Sequence, residues 1–272
     1  MKTIKVFNQT IQLDFLFEEQ FTSLDKYLTD LRPFYFINSH SEDYRFDDSN
    51  CYLKTKYYNL YKIDDKIVQL QKINDINVGI IVYDNNCIDL YLIDKNFQTE
   101  YLLSQYAFVY ILNKTNNAIL MHSSSVVYND RAILLAAKSG TGKSTHARLW
   151  REYKKAITLN DDKNCVAYED GKLLLYPHPW SGKHQIDTNI KAYVSCIVFL
   201  YQSKENTIKK LSKIEGMKLL LSQIERPNKN NLDKWNKIVD RLLDLPMYYY
   251  GCNISKEAVD LLYKRLEMDL CL

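Results

Sequence analysis

Over the first part of the chain, to about Asn116, apolar and polar residues alternate in short runs. Residues 3–7, 57–63, 66–73 and 79–83 carry the period of two that predicts strands. Asp64-Asp65 and Asp84-Asn85-Asn86 fall between such runs as hairpin turns. Residues 18–31 predict a helix that stops before Pro33. Leu102, Leu103, Tyr106, Val109 and Tyr110 fall on one helical face within 100–112, and Thr115-Asn116-Asn117 follows as a connector.

Beyond the connector, strands and helices alternate. Residues 131–137 form a continuous apolar run, hence a buried strand, and 138–142 a loop. Residues 144–154 predict a helix with Ala147, Leu149 and Trp150 available for packing. Residues 157–159 are a second short strand before Asn160-Asp161-Asp162. Two strands, 163–168 and 172–176, flank a hairpin signal at Glu169-Asp170-Gly171. Residues 193–201 predict another buried strand, and 214–226 a helix ended by Pro227. Leu232, Trp235, Ile238, Val239, Leu242 and Leu243 line one face of a further helix. A short strand at 247–250 precedes a last helix, capped by Ser255 and running to 266. The pattern predicts an α/β (α+β) fold in two domains: 1–116, β-rich, and 117–272, richer in α/β alternation.

Length agrees, since 272 residues suit one to two domains. The balance of 36 Lys and Arg against 33 Asp and Glu leaves a net charge of +3. That is too even for a chain whose main partner is nucleic acid or an anionic membrane. Neither long apolar run, 131–137 or 193–201, reaches the ~20 residues a membrane helix needs. The opening Met1-Lys-Thr-Ile-Lys-Val-Phe-Asn has no apolar stretch of signal type, so a cytoplasmic location is expected. None of the six cysteines sits in a CxxC or at zinc-site spacing, and reduced, packing thiols are expected. The 22 tyrosines accompany abundant Lys, Asn and Ile and read as nucleotide bias. With only 7 glycines, those present mark backbone positions that need them.

Two of them, Gly140 and Gly142, lie in Ala137-Lys-Ser-Gly-Thr-Gly-Lys-Ser144. The segment matches the phosphate-loop pattern GxxxxGK[ST] at Gly142, Lys143 and Ser144, with Ala137 in place of the first glycine. A strand before it and a helix after it supply the right context. Such a loop turns its backbone N–H groups inward around phosphate oxygens, and the helix start adds unpaired donors and a positive dipole end. Ser139, Gly140, Thr141, Gly142, Lys143, Ser144 and Thr145 are the candidate nucleotide-binding residues. Lys143, expected on the exposed loop, brings charge to the outer phosphates, and the Ser144 hydroxyl can bind Mg²⁺. Asp161 and Asp162 follow the next strand, one helical crossover later, where carboxylates can face a metal and an acceptor proton. His122 lies on the arm before the loop strand, and antiparallel pairing across Asn129-Asp130 brings it near the start of the loop.

His122, residues 139–144 and Asp161-Asp162 together resemble the HPr kinase/phosphorylase catalytic domain, which is related to the nucleotide core of phosphoenolpyruvate carboxykinase. The likeness is closer to HPr-kinase-like proteins encoded with peptide-modification systems. Their Gly-Thr-Gly-Lys-Ser-Thr loop runs into a helix like His146-Ala-Arg-Leu-Trp150, and a Pro-Trp-x-Gly-Lys segment follows, matched by Pro179-Trp180-Ser181-Gly182-Lys183. The resemblance covers residues 122–197 well and the helix around Ala258-Val259 weakly. It implies an HPr-kinase/carboxykinase-like P-loop domain with a mixed sheet, using ATP and Mg²⁺. In the roles it implies, Asp161 is general base, Asp162 a metal ligand beside Ser144, His122 assists at the transferring phosphate, and Lys183 adds a second positive charge. Some such relatives phosphorylate serine side chains of peptides.

The expected activity is therefore transfer of the ATP γ-phosphoryl group to a serine hydroxyl of a peptide, protein or small molecule. The β-rich first domain is expected to contribute acceptor recognition, and homo-oligomers are in keeping with the resemblance. Two alternatives are an ATP-binding or ATP-hydrolysing regulatory module without an acceptor, and a non-catalytic scaffold.

Overall fold

The computed structural model describes residues 1–115, 118–180, 188, 190–224 and 232–270. They fall into two compact units, Met1–Ile111 and Leu112–Leu272, each mixed α/β.

In the first unit the strands are β1 (Lys2–Val6), β2 (Gln9–Asp14), β3 (Tyr35–His40), β4 (Cys51–Lys54), β5 (Tyr58–Ile63), β6 (Lys66–Ile73), β7 (Ile76–Asp84) and β8 (Cys87–Leu92). A helix, α1 (Phe97–Thr115), follows. The sheet order is β1-β2-β3-β8-β7-β6-β5-β4. It is a mixed sheet because β3 runs parallel to both β2 and β8 while the other pairs are antiparallel. Asp64 and Asn85 adopt positive φ in the expected turns, and so do Asn74 and Asp75 in the turn between β6 and β7. Asn and Asp tolerate that left-handed conformation better than other side chains.

The helix expected at 18–31 is not formed; two short 3₁₀ turns, Glu18–Gln20 and Leu24–Tyr27, stand there. Tertiary packing overrides the local pattern. The Phe21 ring is buried against Phe15, Phe97 and Tyr101, with centroids 4.7, 4.9 and 5.7 Å away. The Leu16 and Phe17 amides donate to the buried Glu100 carboxylate, at 2.7 and 2.9 Å. Leu28 is extended and bridges to Ile4, so the backbone has already left helical geometry.

The second unit contains β9 (Ala118–Tyr128), β10 (Arg131–Ala136), α2 (Lys143–Lys154), β11 (Ile157–Thr158), β12 (Lys163–Glu169), β13 (Lys172–Tyr176), β14 (Ala192–Gln202), β15 (Thr207–Lys210), α3 (Lys213–Leu221), α4 (Leu232–Leu243), β16 (Met247–Cys252) and α5 (Lys256–Leu270). The long strand β14 organises them. One of its edges pairs in parallel with β10; the other pairs first with β13 and then, in parallel, with β16. Since β9 links β10 to β12, and β12 pairs β13, the sheet closes on itself through β14.

Both faces of this sheet are covered, which explains the near-continuous apolar runs of β10 and β14. Ala132, Leu134 and Ala136 point to one core, shared with Leu220 of α3 and Ile238, Val239 and Leu242 of α4. Ile133 and Leu135 point to the other, shared with Ala147, Leu149 and Trp150 of α2 and Val259, Leu262 and Leu266 of α5. The C-terminal ends of the parallel strands β10, β14 and β16 thereby meet at one edge of the unit. Among the described residues no helix is long and apolar enough to cross a membrane.

Candidate active site

The glycine-containing loop leaves the C-terminal end of β10 and enters α2. Gly140 and Gly142 have φ of +78° and +115°, and nothing lies within 4 Å of a Cβ built on either. Their need for glycine is conformational, not spatial. Ala137 is absent from the residues of positive φ. Its backbone is one any L-residue adopts, which accounts for alanine at the first position of the motif. The turn closes with the Thr141 amide donating to Lys138 O at 3.3 Å, and α2 opens with the His146 amide donating to Gly142 O at 2.8 Å. Ser139 and Thr145 lie on the loop and in the first turn of α2.

Lys143 departs from the expected exposed position. It is 7% exposed, and its Nζ donates to Ala137 O at 3.0 Å and Lys138 O at 3.4 Å. The ammonium folds back over the loop onto the carbonyls at the strand end, and Lys138 O accepts from it as well as from the Thr141 amide. Burial lowers its pKa, and the nearby Asp162 carboxylate opposes that shift.

The aspartate turn sits beside the loop because α2 returns the chain to β11, which pairs with β9. Asn160 builds this turn. It is fully buried, and its Oδ1 accepts from the Asp162 and Lys163 amides, each at 3.0 Å. Its own main-chain amide donates to the Ser125 hydroxyl oxygen at 3.1 Å. The Ser124 hydroxyl donates to Asp161 O at 2.8 Å, and the Ser125 hydroxyl donates to Asn160 O at 3.2 Å. The Ser144 hydroxyl, from α2, also donates to Asp161 O, at 3.3 Å. His178 lies behind the turn, with Nε2 2.8 Å from Lys163 O; burial pushes its pKa down to about 4. Sequence reasoning passed over Ser124, Ser125 and His178 and took Asn160 for an ordinary turn residue. The one legible signal was the run of three serines on a strand otherwise apolar.

Asp161 is 4% exposed, whereas the Asp162 side chain is 39% exposed. His122 Nε2 lies 3.5 Å from Asp162 Oδ1. That contact, reinforced by Lys163 and Lys143, holds the Asp162 carboxyl below its usual range against the opposing effect of burial. Ala136 faces Ser123 across the β9–β10 pair, which puts His122 one position beyond, level with the start of the loop. Lys183 lies outside the described residues, as do Ser181 and Gly182. Pro179 and Trp180 are described, and Trp180 is fully buried.

No cluster of three His, Cys, Asp or Glu side chains able to hold a metal exists among the described residues. The donors present are one serine hydroxyl beside one carboxylate of lowered pKa. Such a set suits a Mg²⁺ that keeps waters and takes most of its ligands from phosphates, rather than an all-protein cage.

No protein family and no curated protein matches the chain. Among solved structures, the chain is similar to the Hpr(Ser) kinase/phosphatase from Coxiella burnetii, at 11% identity and a TM-score of 0.35. The similarity covers 55% of this chain and 98% of that one. A likeness at this level decides neither fold family nor activity.

Proposed function

We propose that the chain is an HPr-kinase-like phosphotransferase that moves the γ-phosphoryl group of ATP to a serine hydroxyl of a peptide, protein or small molecule. The observation that carries this reading is the joining of three parts in one place. A loop with two positive-φ glycines opens a helix, its lysine lies against the loop, and a paired-aspartate turn is tied to the first helical turn through Ser144.

Bound ATP with Mg²⁺ supplies the activated phosphoryl group and the divalent charge. The amides of residues 139–145 and the N-terminus of α2 hold the phosphates. Lys143 Nζ exchanges the carbonyls of Ala137 and Lys138 for phosphate oxygens, a swap that leaves its positive charge better matched. Ser144 Oγ and the Asp162 carboxylate hold the cation. Asp162 suits that role because His122, Lys163 and Lys143 keep it ionised. Asp161 takes the proton of the acceptor hydroxyl, His122 assists beside the transferring group, and Lys183 adds charge from its loop. The first unit, lacking a chemical motif, contributes acceptor recognition.

The test is phosphate transfer from γ-labelled ATP to serine-containing peptides, with Lys143→Met as the control variant. Loss of two or more charge-assisted hydrogen bonds to phosphate should weaken ATP binding by at least about tenfold. Equal ATP affinity in wild type and variant by titration calorimetry would remove the phosphate-loop reading. Release of free phosphate with no labelled acceptor would favour the regulatory-module alternative.

A further inference from the structure

Strand β10 ends at Ala136, opposite Ser123 of β9. At His122, one residue further along β9, Lys163 of β12 still holds one edge, but β10 no longer covers the other. An edge left in this way has main-chain groups in want of partners. The turn after α3 supplies them. Ile224 bridges to Met121, and the His122 amide donates to Gln223 O at 2.6 Å.

The Gln223 side chain reaches the same spot. Its amide head faces two main-chain oxygens, Ala137 O at 3.1 Å and His122 O at 3.3 Å. Both are acceptors, so the NH₂ group lies toward them and gives one proton to each. Gln223 therefore holds both main-chain groups of His122 and, with the same side chain, the first carbonyl of the phosphate loop. Ala137 O also accepts from Lys143 Nζ at 3.0 Å, and a carbonyl oxygen has lone pairs for both donors.

The helix that carries Gln223 is firmly seated. A capping box of Ser212 and Glu215 starts α3. Gly216 lies so near β16 that a Cβ there would meet the Met247 side chain, and Leu220 is fully buried. The Ser222 and Gln223 amides close the last turn onto Leu219 O and Leu220 O, at 3.2 and 2.9 Å. A rigid element places what it touches more precisely than a loop does.

Two consequences meet at this residue. His122 Nε2 lies 3.5 Å from Asp162 Oδ1, so what fixes the His122 backbone also fixes the partner of that carboxylate. When Lys143 turns from the loop carbonyls to phosphate, Ala137 O keeps its Gln223 donor and is not left unpaired. We infer that Gln223 is a positioning residue of the transfer site, setting His122 level with the phosphate loop while Lys143 exchanges partners. The inference rests on the phosphotransferase reading above and adds to it a residue from a helix outside the motif.

Gln223→Met keeps the length of the side chain, removes both N–H donors and leaves the main-chain bond from His122 in place. By titration calorimetry it should bind Mg·ATP within about threefold of wild type, which also shows the variant to be folded. With γ-labelled ATP and serine-containing peptides, kcat should fall about tenfold and KM for ATP stay unchanged, since the lost bonds set geometry rather than hold nucleotide. In a His122→Ala background the same substitution should cost less than about twofold, because it acts through His122. In protein carrying ¹³C-labelled histidine, the ring signals of His122, assigned by their absence in His122→Ala, should shift while those of His178 stay. Wild-type kcat in Gln223→Met, an undiminished loss in the His122→Ala background, or unmoved His122 signals would each overturn the inference and leave the phosphotransferase reading standing. A loss of ATP affinity as large as the loss in kcat would do the same, by making Gln223 a support of the loop alone. A wild type that binds Mg·ATP but labels no peptide would remove that reading and this inference with it.

Discussion

The Ser144 hydroxyl donates to the main-chain carbonyl of Asp161 across 3.3 Å. The bond uses the hydroxyl's proton and leaves its oxygen lone pairs to face a cation, so one side chain can brace the aspartate turn and still serve a metal. It also ties the first turn of α2 to a turn that β9 holds from the other side through Ser124 and Ser125.

Ser144→Ala should therefore raise the Mg²⁺ concentration needed for half-maximal transfer by at least about tenfold, and Ser144→Thr should stay near wild type because it keeps the hydroxyl. A metal titration of the transfer rate checks this. Identical metal dependence in the alanine variant would remove Ser144 from the cation site.

Asp161→Asn should cut transfer by about 10²–10⁴-fold with ATP affinity retained, the signature of a base that acts on the acceptor in the transition state. Asp162→Asn should instead weaken the metal site and be partly rescued by excess Mg²⁺ or Mn²⁺. Rates near wild type in both variants would end the mechanism. Rescue of Asp161→Asn alone would exchange the two roles.

Ala137→Gly should cost only about 0.5–1 kcal/mol of stability, through the freer unfolded chain, and leave nucleotide affinity unchanged, since Ala137 is not held at positive φ. Gly142→Ala places a side chain at φ +115° and should cost about 1–3 kcal/mol while weakening nucleotide binding. Urea unfolding and calorimetry on the two variants measure the contrast. Equal effects would show that the loop does not depend on its glycine conformations.

Stability should fall in mild acid because of His146 and His178, each depressed from 6.5 to about 4 by burial. Between these values the unfolded chain binds more protons than the folded one, so stability rises with pH across about 4 to 6.5 and is fully present above it. The contribution is on the order of 3 kcal/mol per histidine at most. Urea midpoints measured from pH 4 to 7 should climb and then level off. His178→Gln should flatten the climb; an unchanged slope would mean that His178 is not held neutral.

The loop and its flanks were legible because their information is local. An apolar strand, glycines at set spacing and a Lys-Ser pair all lie within a few residues of one another, and β10 and α2 form where that pattern predicts. The hairpins at Asn129-Asp130 and Asp170-Gly171 were legible for the same reason, through residues that adopt positive φ. The network that aims the aspartates was not. Asn160 looks like any turn residue until the amides it accepts and the serines that grip it are placed in space. The region at 18–31 misled because its apolar spacing serves an aromatic cluster rather than a helical face. Strand β15, Thr207–Lys210, escaped notice because it is an edge strand with only Ile208 partly buried and no apolar run.

The two edges of β10 have different histories. Its antiparallel partner β9 precedes it across a tight turn, but its parallel partner β14 emerges only after α2, β11, β12 and β13 have been made. Hairpins close in microseconds, whereas pairings distant along the chain await slow loop closure. A ribosome delivering this chain therefore releases the whole phosphate motif well before the strand that locks it. Gln202 at the end of β14, with its hold on the loop, and β16 beside it are made later still. The loop thus gains its full support only when β16 docks, although every residue of the motif was present long before.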